Sequence, residues 1–392
     1  MNILFVTNKN VYPLIGGIER ITYAVAEALR NIYGMQCYSL YTQENVLGQT
    51  TDGVFEAKEC LRLANQVEQI TAYLQANSID VIIAQGSDAR VNQLMPQLRE
   101  AVNQCKGVKL LFVYHTMPSF ELKPIDADVL WQRLKKGKNK AAACKQALIQ
   151  LLTNVLPSIA KKMVAGKYKM PYNNADKVVV LSDNYIPLYN QFVKGELDRY
   201  AVIHNMLSFP MDELTRKDKQ KEVILVARLE ERAKRVKTAL KIWKKACSSD
   251  WKLSIVGDGE DITYYKHYAQ KLQVQNISFE GIQNPLPYYE RASIFMMTSA
   301  YEGWPMTLME AQQCGCVPIA FDSYSAVHDI IDNDKNGMIV PEGDIDAYVR
   351  RLQELMNNPE ALQHLADNAR KDCLRYSREN IAKQWKTLLE NL

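Results

Sequence analysis

The sequence predicts an α/β protein made of two doubly wound parallel-sheet domains that face one another across a cleft. Three observations carry that expectation. Apolar runs of strand length are nearly continuous rather than alternating, which marks parallel strands covered on both faces. These runs alternate with helical patterns almost throughout, giving successive βα units. The alternation then restarts near residue 223 after a polar stretch, so each half is long enough for a domain of its own.

In the first half, "NILFVT" leads into the helical pattern "GIERITYAVAEALRNIYG" and then the run "CYSLYT". A helix near "LANQVEQITAYLQA", the run "DVIIAQG", a helix over 91–104 and the run "VKLLFVYH" follow. A long helical insertion precedes "KVVVLS" and "YAVIHN". The polar, aperiodic stretch "SFPMDELTRKDKQKE" at 208–222 reads as a linker, so the first domain is expected over 1–207 and the second over 208–377. The second half continues through "EVILVARL", "WKLSIVG", "ISFEG", "IFMMTS", "VPIAF" and "GMIV", with helices between them. The closing helix at 378–392 follows the last strand-bearing unit and is expected to pack back across the first domain.

Composition excludes several classes. The 392 residues are 47% apolar and 23% charged, an ordinary globular balance with ample core. A net charge of +4 is too small to argue for nucleic acid, and none is expected as a partner. No run of about 18 apolar residues is present, so no segment is expected to span a bilayer. Cysteines at 37, 60, 105, 144, 247, 314, 316 and 373 include no Cys-x2-Cys pair, and "MNILFVTN" lacks the basic flank of a secretory leader. Free thiols in a reducing cytoplasm are expected.

Ligands of such sheets sit beyond the carboxyl ends of the strands. In the second half those ends bring Arg228 and Lys234 after "VILVA", Asp258 and Gly259 after "SIVG", the 282–286 loop after "SFEG", and "EGWPMTLME" after "IFMMTS". In that last string Pro305 suits a first helical position and Gly315 a helix end. Glu302 then lies in the loop before the helix and Glu310 more than a turn inside it. Backbone N–H groups of Gly303, Trp304, Met306 and Thr307 form an anion site, where glycine lets the backbone come close. Carboxylates beside an anion site would repel a bare phosphate. They suit a ligand with vicinal hydroxyls, since one carboxylate accepts from two donors. A nucleoside diphosphate sugar carries such a diol at each end and a diphosphate between, for which Arg228 and Lys234 supply the cations.

"EGWPMTLME" with "AQQCGCVPIAF" resembles the E-x7-E region of retaining glycosyltransferases of the GT-B fold, glycosyltransferase family four. "VARLEERAKR" is similar to that family's arginine–lysine diphosphate clamp, and "YPLIGGIER" resembles its glycine-rich loop. "IVGDGE", "FEGIQN" and "YSRENIAKQWKTLL" follow in the family's order, densest over about 223–325. The resemblance implies two Rossmann-like domains, with Glu302 on donor-sugar hydroxyls and Glu310 on the ribose. It implies that Arg228 and Lys234 neutralise the departing diphosphate, which Gly16 and Gly17 approach from the opposite domain. It also sets His115, at the end of "VKLLFVY", against the donor sugar, although Thr116 stands where glycine or aspartate is common. His204 and Met206 replace the proline and glycine usual around Asn205, and no chemistry is assigned to them.

Other signals read more plainly. Ser182 is expected to cap a helix. The pairs Asp126/Asp128, Asp332/Asp334 and Asp344/Asp346 are read as turns and caps rather than metal ligands. "GDGE" is no dinucleotide fingerprint, because Ile262 holds its third glycine position, and Cys314 and Cys316 are too close together for a closed zinc site. No cofactor or metal is expected.

The expected activity is retaining transfer of a hexose from a nucleotide diphosphate sugar, UDP- rather than GDP-linked, to a hydroxyl of a glycan or lipid-linked acceptor in envelope or capsular polysaccharide synthesis. The alternatives are a nucleotide-sugar epimerase or hydrolase on the same fold, and a non-catalytic nucleotide-sugar binding protein. A final feature concerns residues 129–175, which hold no acid and ten cations: Arg133, Lys135, Lys136, Lys138, Lys140, Lys145, Lys161, Lys162, Lys167 and Lys169. That segment carries +10 in a chain of net +4, leaving −6 elsewhere. Leu148, Leu152, Val155, Ile159 and Met163 recur there at helical spacing, broken by Pro157, and read either as a core stripe or as part of a surface. The charge points to peripheral binding on the anionic inner face of a membrane.

Overall fold

The structure is a computed structural model describing residues 1–392 except 14–15, 46–52, 63–65, 87–88, 126–139, 212–213, 215–216, 247 and 260, and except the side chains of Ala89, Lys140 and Ala142. Asp126, Asp128, Arg133, Lys135, Lys136 and Lys138 lie outside the described residues, as do Leu14 and Ile15 of the glycine-rich loop. The chain divides into two compact units. Among the described residues, one holds Met1–Pro124, Ala141–Met206 and Tyr376–Leu392, and the other holds Leu207–Arg375.

The first unit is built on seven parallel strands: β1 (Asn2–Lys9), β2 (Gln36–Gln43), β3 (Lys58–Cys60), β4 (Val81–Gly86), β5 (Lys109–Tyr114), β6 (Lys177–Val180) and β7 (Tyr200–Val202). Their spatial order is β3-β2-β1-β4-β5-β6-β7, so the winding reverses beside β1. The middles of β1, β4 and β5 are buried on both faces, which is why they read as unbroken apolar runs. Helix Arg378–Glu390 lies on helix Gly17–Tyr33, burying Ile381, Ala382, Trp385 and Leu389, with Arg378 paired to Glu27 at 2.7 Å.

The second unit has six parallel strands: β8 (Gln220–Val226), β9 (Lys252–Val256), β10 (Ile277–Gly281), β11 (Ala292–Met297), β12 (Val317–Asp322) and β13 (Met338–Pro341). Their order β10-β9-β8-β11-β12-β13 puts the reversal between β8 and β11. Its core joins Val223, Trp243, Leu253, Ile294, Ile319 and Tyr348, drawn from the sheet and the helices on it.

One expectation changes here, and one reading left open is decided. Gln220–Glu222, assigned to the linker, instead open β8, where Gln220 pairs with Ala292. The polar run conceals a strand because Glu222 is buried within an ionic network: Arg291 Nε donates to it at 2.8 Å and Ser254 Oγ at 2.5 Å. Burial pushes that carboxyl's pKa up, but the Arg291 and Ser254 hydrogen bonds outweigh it and hold the group below its usual range. The open reading is the stripe at 148–163, either core or surface. Leu148, Val155 and Ile159 are exposed, while Leu152 and Met163 are only half-buried. The core face of helix Pro157–Asn174 is instead Ala160, Val164 and Tyr168, one residue out of phase with the stripe. Pro157 restarts the helix, and the Tyr168 hydroxyl fixes its rotation by donating to buried Glu121 at 2.7 Å.

A backbone approach in the second unit has a measurable consequence. Gly257 sits at φ +128, and its N–H donates to Gly281 at 2.7 Å. A Cβ there would collide with the Ala227 carbonyl oxygen. Gly257→Ala is therefore expected to destabilise the fold by about 1–3 kcal/mol, read as a lower urea midpoint. Gly166, on an exposed helical turn with open space around it, is the control. Gly166→Ala should be neutral or stabilising, by up to about 1 kcal/mol. Equal midpoints for the two variants would remove the steric account.

Candidate functional site

The reversal between β8 and β11 opens two chain segments at their carboxyl ends. After β8 the chain forms the loop Ala227–Glu230 and the short helix Glu231–Lys234. The loop is braced by the β9 end, where Leu229 N–H donates to the Asp258 carbonyl at 2.9 Å. The short helix is pinned to the chain leaving β11: Thr298 Oγ1 donates to the Lys234 carbonyl at 2.8 Å, and Ala300 N–H to the Ala233 carbonyl at 2.7 Å. Tyr348 fixes the β11 end itself, its hydroxyl accepting from Met297 N–H at 3.2 Å and lying 2.6 Å from the Ile319 carbonyl.

These restraints bring Lys234 to Glu302. The ammonium lies 2.6 Å from Oε1, with the side chains 24% and 14% exposed, so the pair is reachable from solvent without being bathed in it. Arg228 is not part of that contact. Its guanidinium is 78% exposed and pairs with Glu230 at 2.9 Å, which sets one cation inside and one on the rim. A small cavity beside the pair is lined by Val226, Ala227, Lys234, Thr298 and Ser299.

The string 302–310 departs from its sequence reading in two places. Pro305 is the N-cap, not the first helical residue; its ψ of 92 is extended, and the helix runs Met306–Gln313. Gly315, at φ +64, follows the helix end. Trp304 turns inward, 5% exposed, with Nε1 donating to the Met309 sulfur at 3.2 Å, so its indole braces the loop. Met306 and Thr307 remain half-exposed at the helix start. Glu310 is 1% exposed. Its Oε1 accepts from Ser208 Oγ at 2.7 Å and its Oε2 from the Tyr289 hydroxyl at 3.0 Å. Two hydroxyls thus already occupy a carboxylate expected to hold a diol. Sequence reasoning missed Ser208, Tyr289 and Thr298, and no local pattern marks them, because each reaches its partner across 21 to 102 residues.

In the first unit, Gly16 is the N-cap of helix Gly17–Tyr33, its carbonyl accepting from Arg20 N–H at 3.0 Å, and nothing stands where a Gly17 Cβ would point. His115 follows β5, its N–H donating to the Gly86 carbonyl at 3.0 Å and its ring meeting Gln85 Oε1. Burial lowers its pKa to about 4, so the imidazole is neutral at pH 7, and an acceptor at Nε2 requires the proton there. Ser182, expected to cap a helix, instead stands two residues before Asn184, the N-cap of helix Tyr185–Val193, its Oγ accepting from Asn184 N–H at 3.2 Å, and the His204 ring bonds the Leu181 carbonyl at 2.8 Å.

The two aspartate pairs among the described residues hold protein groups. Asp332 pairs with Lys335 and Asp334 with Arg351, while Asp344 caps a helix and Asp346 pairs with Lys245. Among the described residues no cluster of three or more His, Cys, Asp or Glu side chains could hold a metal ion. Burial pushes the thiols of Cys37, Cys314, Cys316 and Cys373 up to about 12, which makes them poor nucleophiles.

Residues 210–372 match the family model of glycosyl transferases group 1. The chain is 28% identical over 228 residues to an uncharacterized glycosyltransferase of Haemophilus influenzae, covering 57% of this chain and 64% of that one. It is 31% identical over 229 residues to the amylovoran biosynthesis glycosyltransferase AmsD of Erwinia amylovora, covering 56% and 63%. The chain thus spans less than two thirds of the length of these curated relatives. The solved structure of HepE from Anabaena in complex with UDP shares the fold, with a TM-score of 0.76, 15% identity and 100% of both chains covered.

Proposed function

We propose that the chain is a retaining glycosyltransferase that moves a hexose from a nucleotide diphosphate sugar, UDP-linked, to a hydroxyl of a glycan or lipid-linked acceptor in envelope or capsular polysaccharide synthesis. The observation that carries this reading is the Lys234–Glu302 pair beyond β8 and β11, inside the stretch that matches the group 1 model. The amylovoran relative adds support for a polysaccharide product.

In the free protein each member of the pair neutralises the other. A donor replaces that contact twice. Its diphosphate takes the Lys234 ammonium, and its sugar hydroxyls take the Glu302 carboxylate. As the bond from C1 to the phosphate oxygen breaks, negative charge grows on the diphosphate, and Lys234 stabilises it with no metal required. Arg228 adds positive charge from the rim, and the half-exposed helix start at Met306 and Thr307 offers backbone N–H groups to the phosphates. Glu310 takes the ribose diol, which requires the Ser208 hydroxyl to leave it. Attack from the same face, with the leaving phosphate accepting the acceptor's proton, retains the anomeric configuration. Neutral His115 serves as a hydrogen-bond partner for the sugar rather than as a charge.

The test is thermal melting with UDP- and GDP-sugars. At about 100 Kd a donor stabilises the fold by about 2.7 kcal/mol. A UDP-sugar should raise the melting temperature, and EDTA should leave both that shift and turnover unchanged. Loss of activity in EDTA with rescue by magnesium would overturn the metal-free reaction. Nucleotide release without acceptor would favour the epimerase or hydrolase, and tight binding without turnover on any glycan the binding protein.

A further inference from the structure

In the first unit, helix Lys140–Val155 and helix Pro157–Asn174 meet at a corner, where Leu156 leaves helical geometry at φ −137 and ψ 69. The corner is apolar and uncovered. Leu148, Leu151, Val155, Leu156 and Ile159 are between 43% and 65% exposed, a dense cluster for a chain whose other large apolar side chains are mostly buried. On the first helix, Leu148, Leu151 and Val155 fall at i, i+3 and i+7, a single face. Among the described residues that helix shares no broad interface with another element. The second helix is anchored through Ala160, Val164 and Tyr168, which turns Leu156 and Ile159 outward.

What could cover this tip is narrowed by charge. Lys161 and Lys162 are exposed beside it, Lys145 and Lys169 are exposed farther along the two helices, none of the four forms an ion pair among the described residues, and 129–175 contains no acid. A protein partner's apolar patch would leave those ammonium groups unanswered. A layer of anionic headgroups over acyl chains answers both features, since interfacial helices pair an apolar face with flanking lysines. No helix among the described residues is long and apolar enough to cross a membrane. We propose that the 148–162 corner docks on an anionic bilayer surface, with Leu151, Val155, Leu156 and Ile159 entering the headgroup layer and Lys161 and Lys162 lying over lipid phosphates. This docking needs no donor or acceptor, so it stands or falls apart from the transfer reaction.

The experiment is co-sedimentation of the full chain with phosphatidylcholine vesicles, with and without phosphatidylglycerol, at low and high salt. Pelleting is expected only with phosphatidylglycerol, and it should fall with salt as screening shortens the reach of the lysines. Each lysine near an anionic leaflet is worth about fivefold in affinity, so Lys161→Glu with Lys162→Glu should weaken binding by well over tenfold. Leu151→Ser with Leu156→Ser and Ile159→Ser should abolish pelleting while leaving melting temperature and UDP-sugar binding unchanged. Val155→Trp should show a blue-shifted emission on anionic vesicles. No pelleting at low salt, or equal binding to neutral vesicles, overturns the proposal. So does a wild-type dimer in ultracentrifugation that the serine variant dissociates, because a second copy would then cover the tip.

Discussion

Lys234→Ala is expected to lower turnover by about 100-fold or more, the usual loss when one stabiliser of developing charge is removed. The fold should hardly notice. The Lys234–Glu302 pair is partly exposed, and breaking such a contact costs about 1 kcal/mol or less. Turnover and thermal melting on the same preparation separate the two effects. Lys234→Arg keeps the charge and should recover part of the rate. Unchanged turnover in Lys234→Ala would leave the diphosphate role without support, and a collapsed melting transition would make the pair structural.

The second large effect is expected at Glu302. Glu302→Gln should lose transfer by a similar factor of about 100 yet keep its affinity for UDP. The pairing with Lys234 sharpens this expectation. Removing the carboxylate charge frees the ammonium, so UDP should bind as well as in the wild type, or more tightly. Glu310→Gln is expected to do the reverse and weaken the nucleotide itself. Because Glu310 is buried between Ser208 and Tyr289, that variant also needs a melting curve, with Ser208→Ala and Tyr289→Phe as controls for the structural share. Titration calorimetry with UDP decides the assignment. A Glu310→Gln protein that melts lower but binds UDP normally makes this carboxylate a brace, and a Glu302→Gln protein that loses UDP binding removes it from the sugar.

Local sequence was a good guide where one physical signal dominates. Buried parallel strands must be apolar on both faces, so "NILFVT", "DVIIAQG" and "IFMMTS" announced β1, β4 and β11. Glycine at a helix end announced Gly315, since its φ of +64 is strained for other residues. The order of motifs brought Lys234 and Glu302 to one end of one sheet.

In two places a distant partner decided what a residue's type alone could not. Glu222 looked like linker until Arg291, 69 residues on, made its burial tolerable. The stripe through Ile159 was open between core and surface until the Tyr168–Glu121 bond set which face of helix Pro157–Asn174 turns inward. Pro305 was placed one position too far into its helix, since a proline's φ suits either place and only its ψ of 92 marks it as the N-cap.

By itself the sequence determined most of the strands and helices, the two parallel sheets and the residue types at the strand ends, because burial, helical period and backbone freedom act over a few residues; the short, half-buried edge strand β3 and the polar start of β8 escaped it. Only the tertiary structure decided that Lys234 is held by Glu302, that Glu310 is already occupied by two hydroxyls, and that the 148–162 corner is bare. Those outcomes depend on which side chains meet across tens to hundreds of residues, and short-range periodicity carries no information about such meetings.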